Sequence, residues 1–349
     1  MWINNEIFKE DLQQIVNIKY IPWENFKSKT ILITGGTGLI GSTLISALLY
    51  ADRVKELNLK IIALVRDLTK AEQQFAEQQN FSDALSFVVG TVEKMPAIDM
   101  PVDYIVHGAG PTASNFLVEH PVETIRIAVL GTANMLEIAK AKKVKGFVYL
   151  SSMEVYGAPH TDTVIEETQG TTVDTMSVRS CYPEAKRLCE SLCASYFSEY
   201  GVPAMVIRLA QTFGPGVAAK DQRVFAEFAR CAMNRKDIVL QTAGTSKRCY
   251  LYTADAVTAI LTLLLTGNSG EAYNAANNTT YCSIVEMAQM VAEKLGDNKI
   301  KVIVAVDGKH EQKFPPTHKL NLGIGKLQGL GWNASRNLLE MYARMMGTM

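Results

Sequence analysis

The sequence predicts an α/β protein built on a doubly wound parallel sheet, followed by a smaller C-terminal lobe. Short apolar segments alternate with helical patterns through the first two-thirds of the chain. Strands that are buried on both faces and separated by helices are typical of parallel sheets with helices on each side. The pattern changes after residue 211, where the turn-rich segment TFGPGVAAKDQ begins. We expect most of the residues beyond it to form the smaller lobe.

The strands of the predicted sheet are short apolar segments that recur along the chain. They are ILIT (31–34), KIIALV (60–65), LSFVVG (85–90), DYIVHG (103–108), GFVYLSS (146–152) and AMVIRLA (204–210). Helical patterns lie near 40–51, 121–142 and 183–200. Right-handed crossovers would bring the carboxyl ends of these strands to one edge of the sheet, where we expect the ligand crevice.

The rest of the chain is assigned by the same patterns. We expect, in order, a helix, a strand, a helix, a strand and a helix near 222–235, 238–241, 253–265, 271–277 and 283–296. Residues 1–28 are expected to form a helical extension, since apolar residues recur there at helical spacing (Ile7, Phe8, Leu12, Ile15 and Val16). Residues 29–215 then form the main domain. Residues 216–349 form mainly the lobe, with elements near 250–277 returning to the main sheet.

The charge balance argues against a strongly polarised surface. The chain has 35 basic and 35 acidic side chains, so no overall field favours nucleic acid or an anionic membrane, and we expect neither as a partner. Its six cysteines lack metal-like spacing and are interpreted as reduced thiols. No stretch approaches the roughly 20 apolar residues that span a bilayer, and the N-terminus lacks a signal-peptide pattern. The expected location is the cytoplasm.

Residues 29–41, KTILITGGTGLIG, contain the most informative local motif. Gly35, Gly38 and Gly41 follow the first strand, open a helix and lie in a βαβ unit. Glycines allow a sharp turn and a close approach of the backbone to a pyrophosphate, whose charge is met by amides at the helix N-terminus. We therefore predict a Rossmann-type dinucleotide site. Its predicted contacts are Gly35, Thr37, Gly38, Leu39, Ile40 and Gly41.

The end of the second strand is expected to contact the adenosine ribose of that dinucleotide. It reads LVRD, with Arg66 before Asp67. An arginine favours the 2′-phosphate of NADP, whereas a carboxylate accepts hydrogen bonds from the ribose hydroxyls of NAD. Arg66 is therefore a predicted cofactor contact that favours NADP, and Asp67 leaves NAD open.

A second motif combines a tyrosine, a lysine and a serine. Tyr182 precedes Pro183, a residue favoured in the first turn of a helix, and Lys186 follows one turn later on the same side. An ammonium near a phenol favours the phenolate and lowers its pKa from about 10. Tyr182 is therefore a candidate base for a hydroxyl proton. Ser152, at the end of a predicted strand, is expected to hydrogen-bond the same oxygen.

Four motifs in order along the chain resemble the extended short-chain dehydrogenase/reductase family, and within it the nucleotide-sugar epimerases and dehydratases. They are TGGTGLIG (34–41), HGAG (107–110), SSMEVYG (151–157) and YPEAK (182–186). The resemblance extends from Lys29 to the C-terminus. It implies an NAD(P)-dependent enzyme that acts on a nucleotide sugar without a metal, and a homodimer formed through helices 121–142 and 183–200. Its implied cofactor contacts include Thr91, Val92, Gly108, Ala109, Gly110, Tyr182 and Lys186.

The resemblance also implies substrate contacts. The PTAS segment (111–114) is expected to line the nicotinamide end, which places Thr112 and Ser114 near the sugar, and His107 is expected to be packed and uncharged. RLAQTFGPG (208–216) and GTSKRCYLYTADA (244–256) are similar to segments that contact the sugar and its diphosphate. The implied contacts there are Gln211 and Arg248, with Arg223 as a second guanidinium for the phosphates.

The residues around Tyr182 are most similar to those of UDP-glucuronate decarboxylases, since RSCYPEAKR (179–187) resembles their Arg-x-Cys-Tyr-x-Glu-Gly-Lys-Arg pattern. Glu154 is a carboxylate that the epimerases usually lack, and the resemblance implies that it assists proton transfer near C5. Met153, also expected beside the substrate, stands where 4,6-dehydratases have an aspartic acid, and a thioether cannot donate a proton. We therefore predict oxidation at C4 followed by decarboxylation.

Other functions stay open at the level of sequence. A 4-epimerase would leave Glu154 without a role, and an NADPH-dependent 4-ketoreductase would fit Arg66. A non-catalytic dinucleotide-sensing scaffold of the same fold is the alternative outside enzymes, although Ser152, Tyr182 and Lys186 are intact. Met153 departs from the decarboxylase pattern, in which a serine is common at this position, and two further features depart from it as well. Arg66 is atypical of enzymes that recycle NAD, and KFPPTHKLNLG (313–323) lacks an Arg-x-Pro-Asp sequence.

Overall fold

The computed structural model of the chain describes residues 5–79, 82–170, 172–306 and 317–349. Its helices are α1 (Glu6–Val16), α2 (Leu39–Lys55), α3 (Leu68–Gln79), α4 (Ser114–Glu119), α5 (Pro121–Lys142), α6 (Cys181–Tyr200), α7 (Val224–Met233), α8 (Thr253–Thr266), α9 (Ile284–Lys294), α10 (Gly325–Gly329) and α11 (Leu338–Met346). Its strands are β1 (Thr30–Thr34), β2 (Lys60–Val65), β3 (Leu85–Val89), β4 (Tyr104–His107), β5 (Gly146–Ser152), β6 (Val164–Ile165), β7 (Ala204–Leu209), β8 (Gln211–Phe213), β9 (Ile238–Leu240), β10 (Lys247–Tyr252), β11 (Ala272–Ala275), β12 (Asn277–Ser283), β13 (Val302–Val304) and β14 (Lys319–Leu322).

The main sheet has the order β11-β7-β5-β4-β1-β2-β3, and its neighbouring strands are parallel. This confirms the predicted Rossmann-type fold, including the apolar segments assigned to β1–β5 and β7. The chain fills one side of the sheet as far as β3 and then starts the other side at β4. The carboxyl ends of β1 and β4 therefore flank the crevice in which such sheets bind ligands.

Two apolar clusters cover the two faces of this sheet. All five residues of β1 are buried. Ile31 and Ile33 lie in the larger cluster, whereas Leu32 lies in the smaller one. Since successive side chains of a strand point to opposite faces, both faces are buried only if consecutive residues are apolar. This explains why these strands are continuous apolar segments in the sequence.

The smaller sheet is centred on β10, which pairs antiparallel with β12 and parallel with β14 and β8. In the same sheet β14 also pairs with β6. β13 and β9 pair with each other in a separate two-stranded sheet. The predicted helices near 222–235, 253–265 and 283–296 are α7, α8 and α9, and β11 returns to the edge of the main sheet beside β7. The domain boundary near residue 215 stays a prediction. Within the described ranges, none of the helices has the length and apolar character to cross a bilayer.

The N-terminal helix α1 packs on α2 and α8 of the main domain. The apolar residues predicted to form its stripe are buried from Phe8 to Val16. The stripe also carries Asp11, which is 2 % exposed and accepts hydrogen bonds from the Tyr252 hydroxyl at 2.5 Å and from Nη2 of Arg344 at 2.9 Å. Of the predicted extension 1–28, the α-helix covers Glu6–Val16, and it joins the core through both apolar and ionic contacts.

Candidate active site

Two glycines at the turn between β1 and α2, Gly35 and Gly41, have no room for a side chain. Gly35 has a φ of +75°, and a Cβ atom on it would lie 2.8 Å from the carbonyl carbon of Gly108. A Cβ atom on Gly41 would overlap the carbonyl oxygen of Gly35. Gly38 is the N-cap of α2, and no side chain of the described residues caps this helix end. Such a turn fits a pyrophosphate, since the backbone is open to close approach and the first helix amides face outward.

The predicted dinucleotide contacts between these glycines are partly accessible. Thr37, Leu39 and Ile40 are each half-buried. The carbonyl of Thr37 accepts a hydrogen bond from the Gln74 side-chain amide at 3.4 Å, which ties the turn to α3. Helix α3, which follows β2, therefore helps to fix the conformation of the glycine turn.

The loop after β4 lies directly against this turn. Oγ1 of Thr34 accepts hydrogen bonds from the amides of Gly108 at 3.2 Å and Ala109 at 3.1 Å. Gly110 faces open space, since a Cβ atom on it would have no heavy atom of the described residues within 4 Å. Thr34 thus joins the carboxyl ends of β1 and β4 at the point where the strand order reverses.

His107, the last residue of β4, is fully buried beneath that loop. Nδ1 lies 2.7 Å from Oγ1 of Thr34, and Nε2 lies 3.2 Å from Oγ1 of Thr132. Burial lowers the pKa of His107 to about 3, with the charge of Lys186 as a second cause. The prediction of a packed and uncharged histidine is confirmed.

Arg66 and Asp67, the two residues at the end of β2 that were considered as contacts of the ribose, differ in their hydrogen bonds. Oδ1 of Asp67 accepts a hydrogen bond from the Lys70 amide at 3.0 Å and so caps the start of α3. Arg66 is exposed beside it, and its guanidinium has no hydrogen-bond partner within the described part of the chain. Both side chains are exposed, but the carboxylate is used as a helix cap whereas the guanidinium has no partner within the described residues.

The segment after β3 packs on α5. Val92 is buried, its methyl groups lie against Gly131, and its carbonyl accepts a hydrogen bond from the Asn134 side-chain amide at 2.9 Å. Oγ1 of Thr91 accepts the amide of Lys94 at 3.2 Å in the turn that follows. Thr91 keeps some exposure at the carboxyl edge of the sheet, while Val92 has almost none.

At the end of β5 the chain enters a 3₁₀ turn, Met153–Tyr156. Oγ of Ser152 caps this turn by accepting the amide hydrogen of Glu154 at 3.2 Å. The turn buries Met153, which is 5 % exposed and packs in the main core, so this residue offers a ligand almost no surface. Glu154 stays accessible, and its Oε2 accepts a hydrogen bond from Nη2 of Arg179 at 2.9 Å.

Tyr182 and Lys186 lie one turn apart in the first half of α6, and both face the end of β5. The hydroxyl of Ser152 lies beside the phenol of Tyr182 and acts to lower its pKa. Nζ of Lys186 donates a hydrogen bond to the carbonyl of Leu150 at 2.6 Å and lies 5.8 Å from the centroid of the Tyr182 ring. The fold thus brings together the three side chains that the sequence assigned to proton transfer.

The charges around Tyr182 differ from the sequence prediction. Burial raises the pKa of the phenol, and the charge of Glu154 raises it further, whereas the Ser152 hydroxyl and the charge of Arg179 lower it. Burial also lowers the pKa of Lys186 to about 8. The prediction that Lys186 brings the pKa of Tyr182 towards neutrality is therefore wrong for this geometry, because desolvation outweighs the nearby cations.

In the smaller sheet, the side chains of Gln211 and Arg248, two predicted substrate contacts, lie against each other. Nη1 of Arg248 donates a hydrogen bond to Oε1 of Gln211 at 3.0 Å, since β8 and β10 are paired. Nη2 lies 2.7 Å from Nε2 of His318. Nε of Arg248 is buried and has no hydrogen-bond partner in the described residues. A buried guanidinium with an unmatched donor is suited to an anionic ligand oxygen.

Arg223 has a carboxylate partner of its own. Asp221 accepts hydrogen bonds from Nε of Arg223 at 3.0 Å and from Nη2 at 2.5 Å. Burial opposes the ionised form of Asp221, but the hydrogen bonds and charge of Arg223 dominate and lower its pKa. The predicted contact of Arg223 with a diphosphate therefore requires this ion pair to open. Beside it, Nδ2 of Asn115 and Oε1 of Gln222 lie 3.4 Å apart, so α4 reaches the segment that precedes α7.

A small cavity lies where the predicted base meets the loop after β4. It is lined by Ala109, Gly110, Pro111, Thr124, Ala128, Tyr182 and Lys186. Thr112 and Ser114, the predicted substrate contacts, are exposed just beyond it. The cavity connects the motif at 107–110, a predicted cofactor segment, with the motif at 182–186, which contains the predicted base.

A larger groove lies outside this region, between α6 and the edge of the main sheet at β7 and β11. Its most buried charges are already paired, because Glu190 accepts hydrogen bonds from Nη2 of Arg208 at 2.7 Å and from the Ser151 hydroxyl at 2.5 Å. The groove touches neither the glycine turn nor Tyr182, and we do not assign the chemistry to it. No group of three metal-binding side chains is found among the described residues.

Two residues at these sites were missed by the sequence analysis. Arg179 lies in a 3₁₀ turn, Val178–Ser180, and its signal was its place three residues before Tyr182 in the Arg-x-Cys-Tyr pattern. His318 has no signal in the sequence, because it meets Arg248 only through the pairing of β14 with β10. Residues 313–316 of the motif considered at 313–323 lie outside the described residues, whereas 317–323 are described and contain β14.

Curated proteins that are similar in sequence to this chain include UDP-glucuronic acid decarboxylases. The chain is 29% identical over 315 residues to UDP-glucuronic acid decarboxylase 6 of Arabidopsis thaliana, covering 89% of this chain and 85% of that protein. It is 27% identical over 320 residues to UDP-glucuronic acid decarboxylase 1 of Xenopus tropicalis, covering 90% and 73%.

Solved structures share the fold at lower identity. UDP-glucuronic acid 4-epimerase from Bacillus cereus, in complex with UDP-glucuronic acid and NAD, matches with a TM-score of 0.74 and 19% identity over 91% of this chain and 98% of that one. dTDP-glucose 4,6-dehydratase from Bacillus anthracis, in complex with NAD, matches with a TM-score of 0.73 and 20% identity over 92% and 96%. The model of the NAD dependent epimerase/dehydratase family matches residues 31–276, from β1 to the end of the main sheet. The chain therefore belongs to the NAD-dependent epimerase/dehydratase family.

Proposed function

We propose that the protein oxidises C4 of UDP-glucuronate with a bound nicotinamide cofactor and releases the C5 carboxylate as CO2. The observation that carries this proposal is the Glu154–Arg179 ion pair, 2.9 Å long, next to the phenol of Tyr182. Interconversion at C4 alone gives a carboxylate at this position no task. The similarity to UDP-glucuronic acid decarboxylases over most of the chain supports the same choice.

The residues that would hold the cofactor are those of the glycine turn and the loop after β4. Gly35, Gly38 and Gly41 leave room for the pyrophosphate, and the cavity beside Tyr182 lies at the nicotinamide end. When bound, an oxidised nicotinamide supplies a reversible hydride acceptor for C4, and its positive charge lowers the pKa of a nearby phenol. The buried Tyr182 needs that additional charge, because burial raises its pKa.

Tyr182 is the proposed base that removes the proton of the 4-hydroxyl. Ser152 is the proposed hydrogen-bond donor to the same oxygen, and Lys186 is fixed against the end of β5 by its bond to Leu150. General bases positioned in this way contribute about 10²–10⁴-fold to rate. Because the 4-hydroxyl proton is returned at the end of the cycle, Tyr182 acts first as a base and then as an acid.

Glu154 is the proposed partner for the chemistry at C5. Once C4 is a ketone, the carboxylate on C5 belongs to a β-keto acid and leaves as CO2 without needing a proton. The resulting enolate must be protonated at C5, and Glu154 or a water that it holds assists this step. Arg179 keeps Glu154 in place, and Met153 stays buried and takes no part in proton transfer.

The nucleotide part of the substrate is assigned to the smaller lobe. Arg248 and Gln211 are the proposed contacts of the diphosphate and sugar, and the unmatched Nε of Arg248 is a donor for a phosphate oxygen. Arg223 joins them if its pair with Asp221 opens. Thr112 and Ser114 are exposed on the opposite side of the crevice and are the proposed contacts of the sugar from the main domain.

A second candidate function rests on Arg66. Its guanidinium is exposed at the end of β2, while Asp67 is used as a cap of α3. An enzyme that consumes NADPH stoichiometrically, such as a 4-ketoreductase, would use such a residue for the 2′-phosphate. Under this alternative the same Tyr182 would donate a proton to a 4-keto sugar.

Two incubations distinguish these functions. The protein is incubated with UDP-glucuronate and either NAD⁺ or NADP⁺, and CO2 and the nucleotide sugars are measured. In a parallel reaction it is given NADPH and a 4-keto nucleotide sugar. We expect CO2 and a UDP-pentose in the first reaction. No CO2 in the first together with net loss of NADPH in the second would replace the decarboxylase by the reductase.

Tyr182→Phe is the matched variant for both reactions. It removes one oxygen and keeps the ring, so we expect turnover to fall by about 10²–10⁴-fold while the cofactor still binds. Unchanged turnover would remove Tyr182 from its assigned role. If neither reaction proceeds with the wild-type protein although a dinucleotide binds, the non-catalytic scaffold becomes the better account.

A further inference from the structure

Arg179 connects the two side chains that carry the proposed chemistry. It lies in the 3₁₀ turn Val178–Ser180, directly before α6. Its Nη2 donates a hydrogen bond to Oε2 of Glu154 at 2.9 Å, and its guanidinium carbon lies 5.8 Å from the centroid of the Tyr182 ring. One cation therefore stands beside both the base assigned to C4 and the carboxylate assigned to C5.

The other edge of this guanidinium is unused. Nη1 of Arg179 is buried from solvent and has no hydrogen-bond partner in the described part of the chain. Buried polar groups are nearly always paired, and a charged donor without an acceptor is especially unfavourable. Glu154 accepts its hydrogen bond from Nη2, so it does not serve as the acceptor for Nη1. A ligand is the best candidate for that acceptor, because Arg179 lies beside Tyr182, the proposed base that acts on the ligand.

We propose that Arg179 binds the C5 carboxylate of a uronic acid substrate and so distinguishes it from neutral sugars. This inference rests on the proposed function and assigns to Arg179 the recognition of the substrate's carboxylate. C4 and C5 are bonded neighbours in the sugar ring, so a substrate whose 4-hydroxyl meets Tyr182 carries its C5 substituent next to that contact. A planar guanidinium matches the geometry of a carboxylate, whereas a hydroxymethyl group offers it no charge.

The same contact explains how two carboxylates can share the site. Glu154 and the substrate carboxylate would repel each other if they faced one another alone, since like charges raise each other's pKa. Arg179 between them neutralises part of that repulsion through separate nitrogen atoms. Loss of the substrate carboxylate as CO2 removes one of its two anionic partners, so the product should gain less from Arg179 than the substrate does.

The test compares two ligands that differ by this group. The dissociation constants of UDP-glucuronate and UDP-xylose are measured by calorimetry in Tyr182→Phe, which prevents turnover, with the cofactor present. Arg179→Met and Arg179→Lys are added to that background. We expect Arg179→Met to weaken UDP-glucuronate roughly 10- to 100-fold more than UDP-xylose, which is the range for a lost hydrogen bond between charged groups. Arg179→Lys, which keeps the charge without the fork, should lie between.

Arg126→Met is the matched control. Arg126 is an exposed arginine of α5 whose Nη2 lies 3.3 Å from Oε1 of Glu93, and its loss should leave the ratio of the two dissociation constants unchanged. Equal weakening of both ligands by the Arg179 variants would overturn the inference and leave Arg179 as a structural support of Glu154. If Arg179→Met does not fold, Arg179→Lys decides, and an unchanged ratio in that variant overturns the inference as well.

The proposed function is judged separately. CO2 release by the wild-type protein tests decarboxylation, whatever the Arg179 variants do. CO2 release combined with an unchanged ligand ratio would retain the function and reject the role of Arg179. Preference for UDP-glucuronate that depends on Arg179, without CO2 release, would retain the carboxylate contact and reject the decarboxylase, as in an enzyme that interconverts uronic acids at C4.

Discussion

Nζ of Lys186 donates a 2.6 Å hydrogen bond to the backbone carbonyl of Leu150, two residues before the end of β5. The same atom lies 4.6 Å from the centroid of the Tyr149 ring. The ammonium thus bridges α6 and the strand that delivers Ser152. Its position costs solvation, and burial lowers its pKa from 10.5 to about 8, although nearby thiols and Glu190 oppose that shift.

The lowered pKa of Lys186 predicts a change of stability with pH. An unfolded lysine keeps its proton up to its ordinary pKa of 10.5, whereas the folded protein loses it near 8. Between these values the unfolded state binds more protons, so the free energy of unfolding rises with pH, and below pH 8 the full cost of the buried charge is present. Relative to Lys186→Met, the wild-type protein should gain about 2 kcal/mol between pH 7.5 and 9.5. Urea unfolding at the two pH values measures this gain.

Lys27→Met is the control for that experiment, because Lys27 is an exposed lysine near the start of β1. Its difference from the wild-type protein should be the same at both pH values. A wild-type curve that runs parallel to the Lys186→Met curve across this range would show that the Lys186 ammonium is not held at a lowered pKa.

The exposed guanidinium of Arg66 leads us to predict a preference for NADP⁺ over NAD⁺. With Asp67 engaged in capping α3, the exposed guanidinium should favour the 2′-phosphate of NADP⁺ over the hydroxyl of NAD⁺. Arg66→Asp should weaken NADP⁺ by about 10- to 100-fold relative to NAD⁺, as measured by dissociation constants for both cofactors. Lys70→Asp introduces the same charge change at another exposed position of this segment and should leave the preference unaltered. A wild-type protein that prefers NAD⁺, and does so equally after Arg66→Asp, would contradict the assignment.

The pair between Asp11 and Arg344 predicts that the first helix is needed for stability. Arg344→Met leaves a carboxylate that is 2 % exposed without its cation, and breaking a buried pair costs about 3 kcal/mol or more. Urea unfolding should show this loss, and adding Asp11→Asn to the same protein should recover part of it. Lys9→Met, on the exposed side of α1, should change the free energy of unfolding by less than about 0.5 kcal/mol. Equal, small effects of both single substitutions would mean that α1 is only loosely attached.

The outer surfaces of α5 and α6 predict a homodimer. The two helices pack on each other and expose large apolar side chains, among them Val122, Ile125 and Leu188, the first of which is 70% exposed. We expect a dimer in sedimentation equilibrium and a monomer after the combined changes Ile125→Glu and Leu188→Glu. Met233→Glu, at an exposed position of α7, should keep the wild-type mass. A monomeric wild-type protein would refute the proposal.

The sequence was most informative where local chemistry determines the structure. The continuous apolar segments predicted β1–β5 and β7, because most of these strands are buried on both faces by apolar residues; β3, at the edge of the sheet, is only partly buried. The glycines at 35 and 41 were predictable as well, because backbone atoms there exclude a Cβ atom, and Gly38 leaves only 3.3 Å between a Cβ atom and the carbonyl oxygen of Gly35. Tyr182 and Lys186 were found together because one helical turn separates them.

The sequence was least informative where contacts join distant segments. β10 contains Lys247 and Arg248, and β12 is largely polar, so neither has the pattern of a buried strand. His318 reaches Arg248 through the pairing of β14 with β10. The raised pKa of Tyr182 depends on how deeply the phenol is buried, and the spacing of residues in the sequence does not predict the depth of burial. Tertiary packing determined each of these outcomes.

Asp11 and Arg344 are separated by 333 residues, and this distance has a consequence for how the molecule is made. During synthesis the first helix leaves the ribosome long before the arginine that completes its buried ion pair. Closing so large a loop is slow and comes late, since contacts far apart in sequence are formed at an entropic cost. The apolar stripe of α1 packs on α2 and α8, which are made earlier, but the Asp11 carboxylate obtains its cation only when α11 has been made. A chain released before residue 344 would keep the helices on which α1 packs but would leave the Asp11 carboxylate buried without its cation.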